Sequence, residues 1–449
     1  VEQLTPRDAL MYWLSQRIPT DQFLLFGFDT DATEPDSLQE LLIRRAERIT
    51  DLQVRLRDVP LGVDYPYWVA RKVGADQFVD HVLSDTTWPG LVAALGELLT
   101  EQLDVRVSPW RVHIFRGITG APRCDGSTAL IAVLQLSHAL ADGRRSTDIA
   151  RRLFDSNELA SPSTPDQRNV PGIALTVRGI IRLPVLVAGT FVRGFAAYRA
   201  AKKLASLTAS GEIPPENPGQ QLTSLDVPPG DRRVVRMIVV SADELRAPNS
   251  TVTVAVLTAI ASALPRYLAL TQQRLGAEVT MASRRESEAR NNFRNVGIDL
   301  HTDEPDLRVR ARKIRDALEQ RSIRTEHPLM SAQAEVNRGL PAPMVRYEVE
   351  HWPLFDTPPS VIGNTVVSSV NRGADDLRLA GGQVTFTAGF PALSPSMSLT
   401  HGVHGIGDAL TISILTSPDV MPDIDRYEAL LREALGEVIE ANGRAASTV

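Results

Sequence analysis

The chain has 449 residues, with 48 Lys+Arg against 54 Asp+Glu and a net charge of −6. Hydrophobic residues make up 43% and charged residues 23%, an ordinary globular balance that excludes wholesale disorder, and the acidic excess excludes a protein built mainly to grip nucleic acid. One cysteine, Cys124, excludes an intrachain disulfide and any multi-cysteine metal centre and fits a reducing compartment.

From Val1 to Leu14 no basic region precedes an apolar run, so a signal peptide is not expected there. Apolar residues at helical spacing predict helices over Ser37–Leu52 and Trp88–Leu103. Trp110–Arg116 alternates like a strand, and Ala129–Leu136 (ALIAVLQL) reads as a buried one. Asn157–Arg168 is a polar loop rich in Ser, Pro and Asp. The next segment, Val170–Leu204, is apolar but interrupted by Arg178, Arg182, Arg193 and Arg199, and it contains no acidic residue. It lacks the ~18 uninterrupted apolar residues of a spanning helix. Phe191, Phe195 and Tyr198 suit it instead to lie in the interface of an anionic membrane. The alternative is a connecting helix kinked at Pro184 whose apolar face is covered by its own domain.

Gly211–Gly230, rich in proline and glycine, reads as an extended connector. A strand is predicted at Val234–Val240, and helices at Thr251–Leu268, Leu307–Ser322 and Asp423–Ala441. Thr365–Val370, Gln383–Phe386 and Ala409–Leu415 alternate like strands. His401 and His404 stand three apart on a strand-like stretch, which splits them across its two faces and argues against a shared metal. The glycine-rich run Gly402–Gly407 reads as a turn between strands. The whole is a mixed α/β pattern of two halves joined by a long crossover: 1–168, 169–230 and 231–449.

The sharpest constellation is Leu136-Ser137-His138-Ala139-Leu140-Ala141-Asp142-Gly143, directly after the most apolar strand. A histidine at a strand end can protrude into a cleft, and its near-neutral pKa lets it take a proton from a hydroxyl and return it to a leaving group. Asp142 can orient the imidazole, or turn away and anchor the backbone through an arginine such as Arg144 or Arg145. Gly143 permits a backbone turn that a side chain obstructs. The competing reading is a hydrogen-bonded core histidine with a helix-capping aspartate.

HxxxDG in this setting resembles the CoA-dependent acyltransferase superfamily, and within it the bacterial wax ester synthase/diacylglycerol acyltransferase family. Leu4-Thr5-Pro6-Arg7-Asp8-Ala9 is similar to that family's opening LSPLDA. Pro60-Leu61-Gly62 with Trp68-Val69, and Ser108-Pro109-Trp110-Arg111, resemble its PLG…WV and RPLWE stretches. Thr251–Arg266 resembles its TVNDVVLAAVAGALR helix, Asn292-Phe293-Arg294-Asn295 its NRFGN, and Ser368–Gly373 its SNVPGP. The chain departs from the pattern with Ser137 in place of the first histidine of HHxxxDG, and with Thr253 and Val254 in place of an Asn-Asp pair.

The resemblance implies two chloramphenicol-acetyltransferase-like domains, each a mixed sheet flanked by helices, with a tunnel at their interface. It implies O-acyl transfer from acyl-CoA, as co-substrate, to an alcohol such as diacylglycerol or a long-chain alcohol, with no cofactor and no metal. His138, Asp142 and Gly143 are the implied catalytic set. Ser137, Thr253, Ser368, Ser369 and Asn371 are candidates for contacting substrate, and Arg284, Arg285, Arg290 and Arg294 for a basic rim facing the CoA phosphates. The expected setting is cytoplasmic, peripheral on membrane or lipid-droplet surfaces through 170–204. Two rival readings are a non-catalytic acyl-CoA or lipid binder, motivated by Thr253 and Val254, and an acyltransferase that takes its acyl group from a carrier protein and esterifies a specialised lipid.

Overall fold

A computed structural model describes residues 2–30, 38–124, 126–155, 171–247, 250–270, 273–283, 288–330, 336 and 339–446, and among these the side chains of 444–446 are left aside. The polar loop expected at 157–168 lies outside the described residues.

Two six-stranded mixed sheets dominate. In the first, the order is Arg378–Leu379, Gly382–Gly389, Gln22–Asp29, Thr128–Leu136, Trp110–Thr119 and Phe78–His81. In the second, it is Phe293–Asp299, Gly276–Ala282, Val366–Asn371, Leu399–Ile406, Ala409–Thr416 and Val234–Ser241. A small three-stranded sheet of Glu2–Gln3, Tyr67–Ala70 and Val54–Arg57 flanks the first.

The expected strands at 110–116, 129–136, 234–240, 365–370 and 409–415 are present within a residue or a few of their predicted limits. Two of them, 129–136 and 409–415, are buried on both faces. Leu130 to Leu134 is an unbroken buried series in the first core, and Ala409 to Thr416 is buried throughout. The helix Val252–Leu268 fills the second core with Val256, Ile260, Ala263 and Leu264, and the Thr251 hydroxyl caps it by accepting the Val254 amide. The helix predicted over Ser37–Leu52 is shorter, Leu38–Ala46, followed by a separate single turn at Thr50–Leu52. The glycine-rich run at 402–407 is not a turn. Gly402 to Ile406 belong to the strand Leu399–Ile406, which pairs on both sides, and the chain reverses only at Gly407–Asp408.

The expected division at 231 is crossed in space. The strand Gly382–Gly389, from the second half of the sequence, pairs antiparallel with Gln22–Asp29 in the first sheet. Gly27 makes this union tight: a Cβ there would sit 2.2 Å from Cε1 of the Phe386 ring. Phe386 is fully buried and cannot retreat without opening a void.

The apolar basic segment forms one 38-residue helix, Gly172–Ala209, which continues through Pro184. By length and composition it is long and apolar enough to cross a membrane. Leu175, Gly179, Ala200 and Leu204 are its buried positions, whereas Ile181, Val185, Phe191, Val192, Phe195 and Tyr198 are exposed. The alternative of an apolar face covered by its own domain therefore fails along the middle of the helix.

Replacing Gly27 with Val should lower stability by about 1–3 kcal/mol through overpacking against Phe386. Thermal or urea unfolding of the purified variant measures the loss, and an unchanged midpoint would show that the junction yields.

Candidate active site

The strand Thr128–Leu136 ends at Ser137, whose amide donates to the Pro109 carbonyl, and a turn carries the chain past His138 to the helix Gly143–Phe154. Asp142 is the N-cap of that helix. Its Oδ1 accepts the amides of Arg144 and Arg145 at 3.1 and 3.0 Å. Its Oδ2 accepts the Asn292 amide at 2.9 Å. Asp142 therefore turns away from the imidazole, and what it anchors is backbone amides rather than an arginine side chain. Gly143 has no positive φ; its role is close approach, since a Cβ there would lie 3.3 Å from Val370 Cγ2. Ser137 is fully buried and accepts the Ala139 amide, so it does not border the cavity described below.

The partner that orients His138 comes from 153 residues away. His138 Nδ1 lies 2.8 Å from Asn291 Oδ1. The amide of Asn291 is held in one orientation, because its Nδ2 donates to Asp8 Oδ1 at 2.9 Å and to the His138 carbonyl at 2.8 Å. Oδ1 must then be an acceptor, so His138 Nδ1 carries the proton and Nε2 carries the lone pair. Nε2 has no hydrogen-bond partner among the described residues. Asp8 is satisfied in turn by the Thr5 hydroxyl and by the backbone amides of Arg290 and Asn291. Burial pushes the His138 pKa below the ordinary histidine value of 6.5, against the opposing pull of Asn291, so the ring is neutral at neutral pH.

His138 opens on a cavity of about 800 Å³ between the two large sheets, a volume suited to a small-molecule substrate. One wall is apolar, with Met11, Leu14, Phe23 and Leu24 from the first half. The opposite wall is the inner face of the second sheet. Strand alternation sends Ala277, Val279 and Val367 into the core and turns Glu278, Thr280, Val366 and Ser368 toward the cavity. Thr280 pairs with Asn295 on one side and Ser368 on the other, so three polar side chains stand in a row there. Phe293, at the end of the same sheet, has its ring centroid 5.3 Å from that of His138.

Of the other expected contacts, Ser368 faces the cavity directly. Ser369 and Asn371 border it, but Ser369 belongs to the opposite strand face, where it accepts the Thr253 hydroxyl at 2.9 Å. Thr253 does not line the cavity and instead supports Ser369 from behind. Arg290 cannot serve a CoA phosphate: it is 5% exposed and bridges Glu2 and Asp51 at 2.8 and 3.1 Å, with its guanidinium over the Trp68 ring. Arg294 is half-buried on the edge strand Phe293–Asp299. Arg284 and Arg285 lie outside the described residues. Exposed Arg144, beside the motif, also borders the cavity. His401 and His404 do split: His401 bonds Thr365 and Tyr427 in the second core, and His404 borders the cavity.

Nitrogen-15 NMR of the histidines should show His138 as the Nδ1–H tautomer, titrating below 6.5. In Asn291→Ala the ring should populate both tautomers. An Nε2–H tautomer in the wild type would contradict the assignment.

Residues 4–260 match the wax ester synthase/diacylglycerol acyltransferase catalytic domain, and residues 290–438 match the corresponding C-terminal domain. Among solved structures, the wax ester synthase/diacylglycerol acyltransferase from Marinobacter aquaeolei VT8 superposes with a TM-score of 0.64 at 18% identity, over 98% of this chain and 100% of that one. A starter condensation domain of rhizomide synthetase, solved with C8-CoA, gives 0.57 at 13% identity over 98% and 95%. The trichothecene 15-O-acetyltransferase from Fusarium sporotrichioides gives 0.56 at 12% identity over 97% and 95%. At such identities the likeness to the solved structures concerns the fold alone: two mixed α/β domains. The two family matches, which between them span most of the chain, place this protein in the wax ester synthase/diacylglycerol acyltransferase family of acyltransferases.

Proposed function

We propose that this protein moves a fatty acyl group from acyl-CoA to an alcohol, with His138 as general base. The observation that carries the reading is the neutral imidazole with Nδ1 held by Asn291 and Nε2 unpartnered, in a cavity bounded by both halves. Nε2 takes the proton of the acceptor hydroxyl as its oxygen attacks the thioester carbonyl. The tetrahedral intermediate then collapses, the C–S bond breaks, and Nε2–H returns the proton to the departing thiolate. Each turnover leaves the ring as it began, and no acyl-enzyme forms. The oxyanion needs a donor about 3 Å away, and the Ser368 hydroxyl on the facing wall is the candidate. Exposed Arg144, which borders the cavity, is the candidate for the phosphate-facing role that Arg290 cannot fill. The C8-CoA bound by the condensation domain of the same fold supports a CoA thioester as donor.

The same reading places the enzyme in the cytoplasm, at a lipid surface. Phe191, Phe195 and Tyr198 on the helix Gly172–Ala209 are each at least 64% exposed, and the helix itself carries no acidic residue, Arg182 alone of its arginines lying near an acid among the described residues, 4.0 Å from Asp64. Such a helix lies in the plane of an anionic interface with its rings among the acyl chains. A second reading, an acyl-CoA binder without turnover, rests on Thr253 and Val254 replacing the Asn-Asp pair.

Free-thiol release from acyl-CoA in the presence of long-chain alcohols separates the two. His138→Ala should slow it by roughly 10²–10⁴-fold. Because the neutral ring is the active form, kcat/KM should fall as pH drops through a limb lying below 6.5. Thiol release unaltered in His138→Ala would remove the mechanism. Flotation with phosphatidylglycerol vesicles should carry the wild type upward and leave a Phe191→Ser/Phe195→Ser double variant behind; equal flotation would discard the helix as anchor.

A further inference from the structure

On the lining of the cavity two basic side chains are buried with no acid paired to them among the described residues. Arg372 is 3% exposed and His404 is 5% exposed, and both border the cavity. Among the described residues no carboxylate pairs with Arg372, and burial alone pulls its pKa down, to about 9, so it remains charged at neutral pH. Its Nη1 donates to the Thr387 hydroxyl at 2.8 Å, and that hydroxyl passes its own proton to the Leu25 carbonyl. Nε is buried with no partner, and Nη2 has none among the described residues. One face of the guanidinium lies over the Phe26 ring at 5.1 Å. His404 adds an unpartnered Nδ1, and burial together with the Arg372 charge keeps its pKa well below the ordinary value.

A buried, unpaired guanidinium is costly, and structures normally match such a charge. Here the backbone packs directly against the pair. Gly389 faces the pair: a Cβ there would lie 2.8 Å from Arg372 Nη2 and 2.7 Å from His404 Cε1. The free Nε–Nη2 edge is a fork of parallel donors, the geometry that takes a carboxylate through two bonds. One cation beside a neutral ring balances one negative charge. A phosphomonoester carries close to two and needs more. The polyanionic CoA head is poorly matched for the same reason.

We propose that Arg372 and His404 form a receptor for a carboxylate carried by the hydroxyl substrate, so that the acceptor is a hydroxy acid lipid rather than a plain alcohol. Its hydroxyl meets His138 while its carboxylate seats on the Nε–Nη2 edge. This rests on the acyl-transfer reading for the identity of the substrate, but binding tests it without turnover.

Calorimetry with ω-hydroxy fatty acids from hexanoate to palmitate, each against its own methyl ester and without any acyl donor, measures the preference. The wild type should favour the acid of at least one length by roughly tenfold or more. The ratio should fall to near one in Arg372→Met, and Arg372→Lys, which keeps charge but not the fork, should retain part of it. Without ligand, Arg372→Met should melt no lower than the wild type, which a merely structural arginine would not allow. Equal affinity for acid and ester throughout the series would overturn the proposal, as would a preference that survives in both variants, or tighter binding of lauryl phosphate than of any hydroxy acid. Absence of thiol release with the acid preference intact would count against the acyl-transfer reading alone.

Discussion

The Asp8 carboxylate is the knot on which the site depends. It accepts the Thr5 hydroxyl, two backbone amides from Arg290 and Asn291, and the Asn291 side chain, so nearly all its lone pairs are used. A carboxylate so bonded holds its neighbours far more firmly than a neutral acceptor, because charge-assisted bonds are roughly twice as strong. It fastens the helix Pro6–Ser15 to a loop from the second half, and the same loop presents Asn291 to His138. Asp142 repeats the device one residue further along that loop, joining its helix cap to the Asn292 amide. The acid of the motif, Asp142, acts here on backbone amides, and a neutral amide, Asn291, orients the ring.

Much of the architecture was legible because burial on both faces writes long apolar runs. Ala129–Leu136 and Ala409–Leu415 could hardly be anything but interior strands. The strands that escaped are instructive. Gln22–Asp29 pairs on both sides in the first sheet, yet its residues QFLLFGFD carry no alternation and include a glycine. Gly276–Ala282 alternates core residues with Glu278 and Thr280, which face the cavity, so its pattern imitates a solvent-exposed edge, and the glycines of Leu399–Ile406 make the second half of that strand look like a turn.

The site was half legible for a similar reason. His138 announces itself by its motif. Asn291 does not, because nothing local distinguishes an amide that orients a ring from one that solvates a loop; the signal is the spatial meeting of TPRDA with NNF. Arg290 was misjudged because an arginine near a presumed phosphate site reads as a ligand until its acids, Glu2 and Asp51, are placed beside it. Arg372 is the reverse case, a charge whose missing partner only three dimensions reveal.

The strand Gly382–Gly389 decides how substrates can arrive. It belongs by sequence to one lobe and by hydrogen bonding to the other, over six paired positions. Parting the lobes like a clam would tear that ladder, a loss no encounter with a lipid could repay. The cavity between them is therefore bordered by a junction that a hinged opening would have to break.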